Sequence, residues 1–502
     1  MSDAKRKLPH AEIVFARGPI SLPILGNPER PISYDDAIAI IEAKKSEETT
    51  VRRFSMTLPC HPLDGGRATQ MAMAQLFGAT VPHPESRPST ISVKLGDQDY
   101  NIPWGQFLWP LQAQDLKQWI GTSNGTDELG NGVFVLIGNL QARYEKEWNA
   151  LCLRIREIVR DYSILLGQTI RITFTNDDND VMPWPKLESW DVRNIDTSTL
   201  CYTKTTEEII EQLVYAPIDN YHAFIRAGER FNRGILSTGP FGTGKSMLNA
   251  SIAKHGQQAG MTVFYTSKTQ DAARCLRFAQ LYATRERPAI VFIEDIEAIC
   301  DGPEKKTEAV GELMNVLDGV DTKNSNVLFI CTTNYYERLY LGLKRSRRID
   351  LTINILAPDA DAAGRIVRAY LTQQGEELYA PDVDFDAVGR VCDGMVAADI
   401  SEVCTRAKVA HIAKTGAAPT RHSINTHSIL AAANSVAAEI EMRRPTMTRE
   451  VSPIERAAML VAAALSEDER FREFRALASS LPTQATVAKG AAPTLATSQS
   501  QF

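Results

Sequence analysis

The residues best equipped for chemistry are Gly239, Pro240, Phe241, Gly242, Thr243, Gly244, Lys245 and Ser246, a complete G-x-x-x-x-G-K-S. Glycines let successive backbone N–H groups converge on an anion, and a helix N-terminus behind them adds partial positive charge. The lysine of such a loop reaches the β and γ phosphates of a nucleoside triphosphate, and the hydroxyl after it ligates Mg²⁺. The pattern carries this meaning only between a strand and a helix. Ile235-Leu236 supplies the apolar strand, and Met247 to His255 reads as the helix. A glycine turn that merely precedes a helix is the bland alternative, and both flanks weigh against it.

A phosphate loop alone defines no reaction; a carboxylate at a neighbouring strand end is needed for the metal and the water. Ala289 to Ile293 is a continuous apolar strand that ends in Glu294-Asp295-Ile296-Glu297. A solvated acidic strand end is the competing reading. Val327 to Thr332 is a second apolar strand, ending Thr333-Asn334. Beyond it, Leu343-Lys344-Arg345-Ser346-Arg347-Arg348-Ile349-Asp350 concentrates four cations. Guanidinium is always charged and forks onto phosphate oxygens, which a surface loop does not require.

In combination these runs resemble the AAA ATPases in the narrow sense. The lead-in and loop resemble "grxRGiLLyGPpGTGKt", and Ala289 to Asp295 a Walker B strand. Asn334 resembles sensor 1, Leu343 to Asp350 the "LxRpGRfD" run, Leu317 to Val320 the "LLxxLDG" helix end, and Gly394 to Ile400 the lid motif "GfSGADI". The resemblance implies an α/β fold: a P-loop three-layer α/β/α ATPase domain with a small α-helical lid, here preceded by an α+β N-terminal domain. It implies ATP and Mg²⁺ as cofactors, with Ser246 and Glu294 serving the metal, the latter largely through water. It makes Asp295 the group that polarises the attacking water, Asn334 its orienter, and Arg345 and Arg348 fingers that act on a neighbour's nucleotide. Hence it implies a homo-oligomeric ring, usually of six. Ala398 would abut the nucleotide. The family usually has Asp-Glu where this chain has Glu294-Asp295, so the water-polarising side chain is one methylene shorter. The aromatic–apolar–Gly pore loop expected after Thr262 to Thr266 is missing, because Ser267 to Leu276 runs straight into a helix. The charged stretch Asp301 to Glu308 takes the second pore-loop position. The resemblance covers about 205–443 and is absent from 1–175.

The elements that must position these groups follow from the chain order. Residues 1–33 read as irregular. Ser33 is a candidate cap for a helix to about Glu47. Strands are expected at Val51 to Thr57, Thr90 to Leu95, Val133 to Ile137 and Thr169 to Phe174, and helices at Gly66 to Phe77 and Leu140 to Leu166. Trp104, Phe107, Trp109 and Trp119 read as a packed core, since no Lys/Arg run interleaves them to make a base-stacking surface. The expected order is an N-terminal α+β client domain at 1–175, a linker at 176–204, the large ATPase subdomain at 205–357, the lid at 358–443, a C-terminal helix at 444–479 and a disordered tail at 480–502.

Composition narrows the function. The chain has 502 residues, 44% hydrophobic, with a net charge of −6. That disfavours a strongly basic nucleic-acid binder. Eight cysteines without a C-x-x-C imply reduced thiols in the cytoplasm. No stretch reaches membrane-spanning length, and no H-E-x-x-H fuses a zinc protease to the ATPase. Two functional readings remain. One is an ATP-hydrolysing AAA ring that remodels proteins or protein complexes, with clients chosen by residues 1–175. The other is a nucleotide-dependent assembly scaffold or switch with weak or no hydrolysis. A DNA loader or helicase is disfavoured by the acidic charge and a lid without a sensor arginine.

Overall fold

The structure is a computed structural model that describes residues 34–443 apart from 87–88, 129, 177–179, 230, 285, 319–325, 346–347 and 374. The expectations for 1–33, Ser33 included, and those for 444–479 and 480–502 fall outside the described residues.

Apolar runs without alternation belong in strands covered on both faces. Arg233–Thr238, Thr262–Thr266, Ala289–Ile293 and Val327–Thr333 are such runs, and all four enter one seven-stranded sheet. Its order is 351–354, 233–238, 327–333, 289–293, 262–266, 169–175, 181–189. Every neighbouring pair is parallel except the last, which is antiparallel. Successive side chains alternate between faces. Val291 and Ile293 join Phe329 under helices Ala272–Tyr282 and Glu308–Asp318. Ile290 and Phe292 join Ile330 under helix Lys245–Gln258. Helix, sheet and helix therefore form three layers.

Two strands depart from the sequence expectation. Thr169–Thr175, expected to lie within the N-terminal α+β domain at 1–175, instead joins the large sheet and pairs in parallel with Thr262–Thr266, with Phe264 opposite Ile170. Val181–Ser189, inside the span expected as a linker, folds back beside it as the sheet's edge. The alternating pattern TIRITFT identifies a strand but not its partner, which lies about ninety residues downstream.

The N-terminal elements form a separate antiparallel sheet in the order 51–58, 132–141, 119–126, 106–108. Helices Pro62–Phe77 and Glu145–Tyr162 lie against it. The second helix starts at Glu145 rather than near Leu140, because Leu140 and Gln141 complete the strand Gly132–Gln141. Its stripe Trp148, Leu151, Ile155, Ile158 is buried. Trp109 and Phe107 are buried too, with Trp109 edge-on to Phe77 at 5.0 Å. Of the four aromatics expected as core, Phe107 and Trp109 belong to it, Trp104 packs against it half-buried, and Trp119 is half-buried.

Helices Ala360–Tyr370, Phe385–Cys392 and Ala397–Thr415 pack beyond the sheet. Val403, Cys404 and Ala407 are buried, whereas Ile412 is 44% exposed. A final helix spans Thr426–Arg443. Among the described residues no helix is long and apolar enough to cross a membrane.

Candidate nucleotide site

Parallel sheets place ligands at the carboxyl ends of their strands. Here the strands 233–238, 327–333 and 289–293 lie side by side and end together. They deliver the Gly239–Ser246 loop, Asn334 and Glu294-Asp295 to one edge. The apolar runs build the sheet, and the polar residues that follow each run build the site.

The loop is shaped by its glycines. Gly242 and Gly244 hold φ of 79° and 97°, a left-handed region that costs other residues free energy. A side chain on Gly239 would strike the Ile355 carbonyl oxygen at 2.0 Å. Such a close-walled turn fits an anion on backbone N–H groups rather than a packed side chain. Lys245 opens the helix Lys245–Gln258, and its Nζ donates to the carbonyls of Gly239 at 2.8 Å and Pro240 at 2.7 Å. Burial lowers its pKa, while Asp295, Glu297 and Glu294 pull the other way. Thr243 is buried, its hydroxyl donating to Pro240 O at 2.9 Å, and Ser246 is exposed. Phe241 is 64% exposed, edge-on to Tyr335 at 5.8 Å.

The acidic end is tied to its neighbours. Tyr265, on the adjacent strand, donates its hydroxyl to Glu294 Oε2 at 3.0 Å. Asp295 takes a left-handed backbone, φ 50° and ψ 51°, unusual for a non-glycine residue and characteristic of functional turns. Its N–H donates to Thr332 Oγ1 at 3.1 Å. Asn334 Nδ2 donates to Asp295 Oδ1 at 3.0 Å. The Asn334 main-chain N–H donates to Glu297 Oε1, also at 3.0 Å. Burial raises the Asp295 pKa, helped by the charges of Glu297 and Glu294. Ser246 and Glu294, the residues expected to serve a metal, offer a hydroxyl and a carboxylate oxygen, donors that suit Mg²⁺ because it takes few protein oxygens.

The lid reaches the loop directly. Ala398 N donates to Gly242 O at 3.0 Å, and a Cβ on Gly242 would meet Ala398 Cβ at 3.1 Å. Ala398 thus abuts the phosphate loop. Arg365 of the lid bonds Glu207 at 2.7 Å and the Tyr202 carbonyl at 2.6 Å, and the Tyr202 hydroxyl lies 3.4 Å from Gly244 O.

The two arginines differ. Arg345 is exposed. Arg348 forks onto Asp318 of its own chain, Nε to Oδ1 at 2.9 Å, with a further bond to the Gly342 carbonyl, and its side chain is 11% exposed. Ser346 and Arg347 fall outside the described residues, as do Gly319 and Val320 beyond Asp318.

Sequence reasoning passed over Glu297, Tyr265, Tyr202 and Arg365. Glu297 was signalled as the third acid after the apolar strand. Tyr265 and the Arg365–Glu207 pair carry no local signal, because their partners are distant in sequence.

The model of the AAA family, "ATPase family associated with various cellular activities", matches residues 235–356. The chain is similar to the 26S proteasome regulatory subunit 10B of Dictyostelium discoideum, 33% identical over 215 residues, which are 39% of this chain and 52% of that protein. It is similar to the ATP-dependent zinc metalloprotease FTSH 9, chloroplastic/mitochondrial, of Oryza sativa subsp. japonica, 29% identical over 316 residues, 60% of this chain and 34% of that protein. It is also similar to the proteasome-activating nucleotidase of Methanococcus vannielii, 28% identical over 213 residues, 39% of this chain and 50% of that protein. The matched part of the chain thus spans about half or less of the length of these relatives.

Proposed function

This chain carries an AAA domain over residues 235–356, and from that premise we propose that it binds and hydrolyses ATP as a homo-oligomeric ring, of six subunits as is usual in the family, and remodels proteins or protein complexes. The observation that carries the reading is the convergence of the Lys245 loop, the Glu294-Asp295 strand end and Asn334 at one edge of a parallel sheet. The loop N–H groups and Lys245 would hold the phosphates. Ser246 and Glu294 would hold Mg²⁺, which would offset the negative charge of the phosphates. Asp295 would accept the proton of the attacking water, held in place by Asn334 and by its own N–H bond to Thr332. Arg345, the exposed arginine, is the better placed to reach a neighbouring subunit. Clients would be chosen by residues 1–175, with 205–357 as motor and 358–443 as lid. The relatives' names support a protein client, and a cytoplasmic location fits the eight free thiols.

One observation favours a second reading, a nucleotide-dependent assembly switch with little turnover. Arg348, the other expected finger, is bound to Asp318 in its own chain. Phosphate release under saturating Mg-ATP separates the two. We expect steady release by the wild-type chain and none by Lys245→Ala. A flat wild-type trace with intact ATP binding would leave the switch.

A further inference from the structure

The Walker B turn holds a carboxylate that the scheme above does not use. Glu297 sits on the 3₁₀ turn Ile296–Ile299, directly after Asp295. Its Oε1 accepts the Asn334 main-chain N–H at 3.0 Å and lies 3.4 Å from Asn334 Nδ2. One oxygen thereby grips both the backbone and the side chain of the sensor asparagine. The same Nδ2 donates to Asp295 Oδ1 at 3.0 Å. Ionised carboxylates only accept, so the two acids together require the NH₂ of Asn334 to face them and its Oδ1 to face away. Asp295 alone offers a single bond from an exposed side chain. Glu297 also keeps its Oε2 buried without a hydrogen-bond partner. A buried acceptor left unmatched is costly, and such groups in folded proteins call for a reason other than packing.

We propose that Glu297 is a positioning residue for nucleotide hydrolysis: it fixes the sense in which the Asn334 amide meets the terminal phosphate and its water. This rests on the hydrolytic reading above and adds to it a residue that acts through Asn334. Glu297 sets the asparagine's orientation, and Asp295 remains the proton acceptor. A shortened Asp295 makes that orientation more demanding, because small misplacements cost large factors in rate.

The test compares Glu297→Ala, which removes the grip, with Glu297→Gln, whose amide oxygen still accepts from the Asn334 N–H. We expect Glu297→Ala to lower kcat at least tenfold with KM for ATP within about threefold, and Glu297→Gln to recover most of the loss. In an Asn334→Ala background, Glu297→Ala should add little further loss, since both act through one group. Wild-type kcat in Glu297→Ala would overturn the proposal. So would Glu297→Gln being as slow as Glu297→Ala, which would point to charge rather than positioning, and so would full additivity with Asn334→Ala. If the alanine variant does not fold, Glu297→Leu keeps the volume and takes its place. If the wild-type chain binds ATP without hydrolysing it, the hydrolytic reading fails by itself. The ratio of ATP to ADP affinity, measured by calorimetry with Mg²⁺, then tests the inference. That ratio should change in Glu297→Ala and hold in Glu297→Gln, and an unchanged ratio in Glu297→Ala would overturn it.

Discussion

The nucleotide edge of the sheet has two flanks, attached by different means. On the loop side, the lid meets the core through the Ala398 N–H to Gly242 O bond and the Arg365 bonds to Glu207 and Tyr202 O. On the other side, the N-terminal region enters the sheet itself, through strand Thr169–Thr175 beside Thr262–Thr266. That ladder is reinforced at its end. Phe174 N donates to Asp271 Oδ2 at 2.8 Å, and Lys268 Nζ donates to the carbonyls of Thr175 and Asn176 at 3.2 and 3.3 Å. Thr269 Oγ1 donates to Glu294 O at 3.1 Å. A few isolated bonds can exchange while both bodies stay folded; a shared ladder cannot part without unpairing a strand. We therefore expect the helices at 358–443 to shift more readily than the N-terminal region, which is tied to the sheet. The turn at 267–271 is occupied in making that joint.

The comparison is broken most severely at Asp64. This buried carboxylate at the start of helix Pro62–Phe77 accepts the Ile164 N–H at 2.8 Å and the Ser163 hydroxyl, and so anchors the chain just before the shared strand. Asp64→Ala leaves those donors buried and unmatched, and we expect a loss of about 3 kcal/mol, read as one cooperative shift in urea unfolding. Two separated transitions would show that the N-terminal region and the sheet do not unfold together. Gly242→Ala tests the other flank. It places a Cβ 3.1 Å from Ala398 Cβ at a φ of 79°. We expect ATP affinity to fall about tenfold to a hundredfold, or ~1.4 to 2.7 kcal/mol, with little change in urea midpoint. A midpoint shift as large as that of Asp64→Ala would erase the distinction between the flanks.

Much of the loop flank was legible in sequence because its signals are local. The glycine spacing, the apolar runs that end in Glu294-Asp295 and Asn334, and the helix after Lys245 each occupy a few consecutive residues. The joint was not legible. Its strand reads correctly as a strand, but TIRITFT would suit either sheet, and only the packing of its Ile170 and Ile172 with Phe264 on a covered face decides between them. The pairing of Arg348 with Asp318 was hidden for the same reason, since thirty residues separate them. Glu297 was visible as an acid, but its grip on Asn334 needs the neighbouring strand in register.

Smaller effects sharpen the contrast. Asp271→Ala removes the acceptor of the Phe174 N–H. We expect a cost of about 1–2 kcal/mol, with faster hydrogen exchange confined to the 169–175 strand. Exchange that rises instead across the whole sheet would show that this bond holds more than the joint. Arg365→Ala cuts the lid's ion pair with Glu207, whose side chains are 35% and 34% exposed. Solvent screens such a pair, so we expect less than about 1 kcal/mol of stability and a few-fold change in ATP affinity. No change in affinity would leave Ala398 as the lid's working contact.

The smallest net effect comes from two buried groups beside the joint that titrate in opposite senses. Burial pushes the Asp64 carboxyl up to about 6, and burial lowers the His61 imidazole to about 4. The His61 bonds fit a neutral ring: Nδ1 accepts the Leu63 N–H at 3.3 Å, which leaves Nε2–H to donate to the Pro185 carbonyl at 3.2 Å. With its folded pKa raised, Asp64 favours the fold most below its unfolded value near 4 and loses that contribution as pH rises through about 6. His61 is depressed, so its contribution is full above its unfolded value near 6.5 and is lost as pH falls through about 4. At about 1.4 kcal/mol per pKa unit each is worth about 3 kcal/mol across the same window, with opposite sign. The wild-type chain should therefore show little pH dependence from this pair between pH 4 and 6, while its variants should not. In Asp64→Asn, stability should climb with pH over that range; in His61→Asn, which keeps an acceptor for the helix start, it should decline. Unfolding midpoints measured at half-unit pH steps decide it. Slopes of the same sign in both variants would mean that the two groups do not titrate inside the fold as their burial requires.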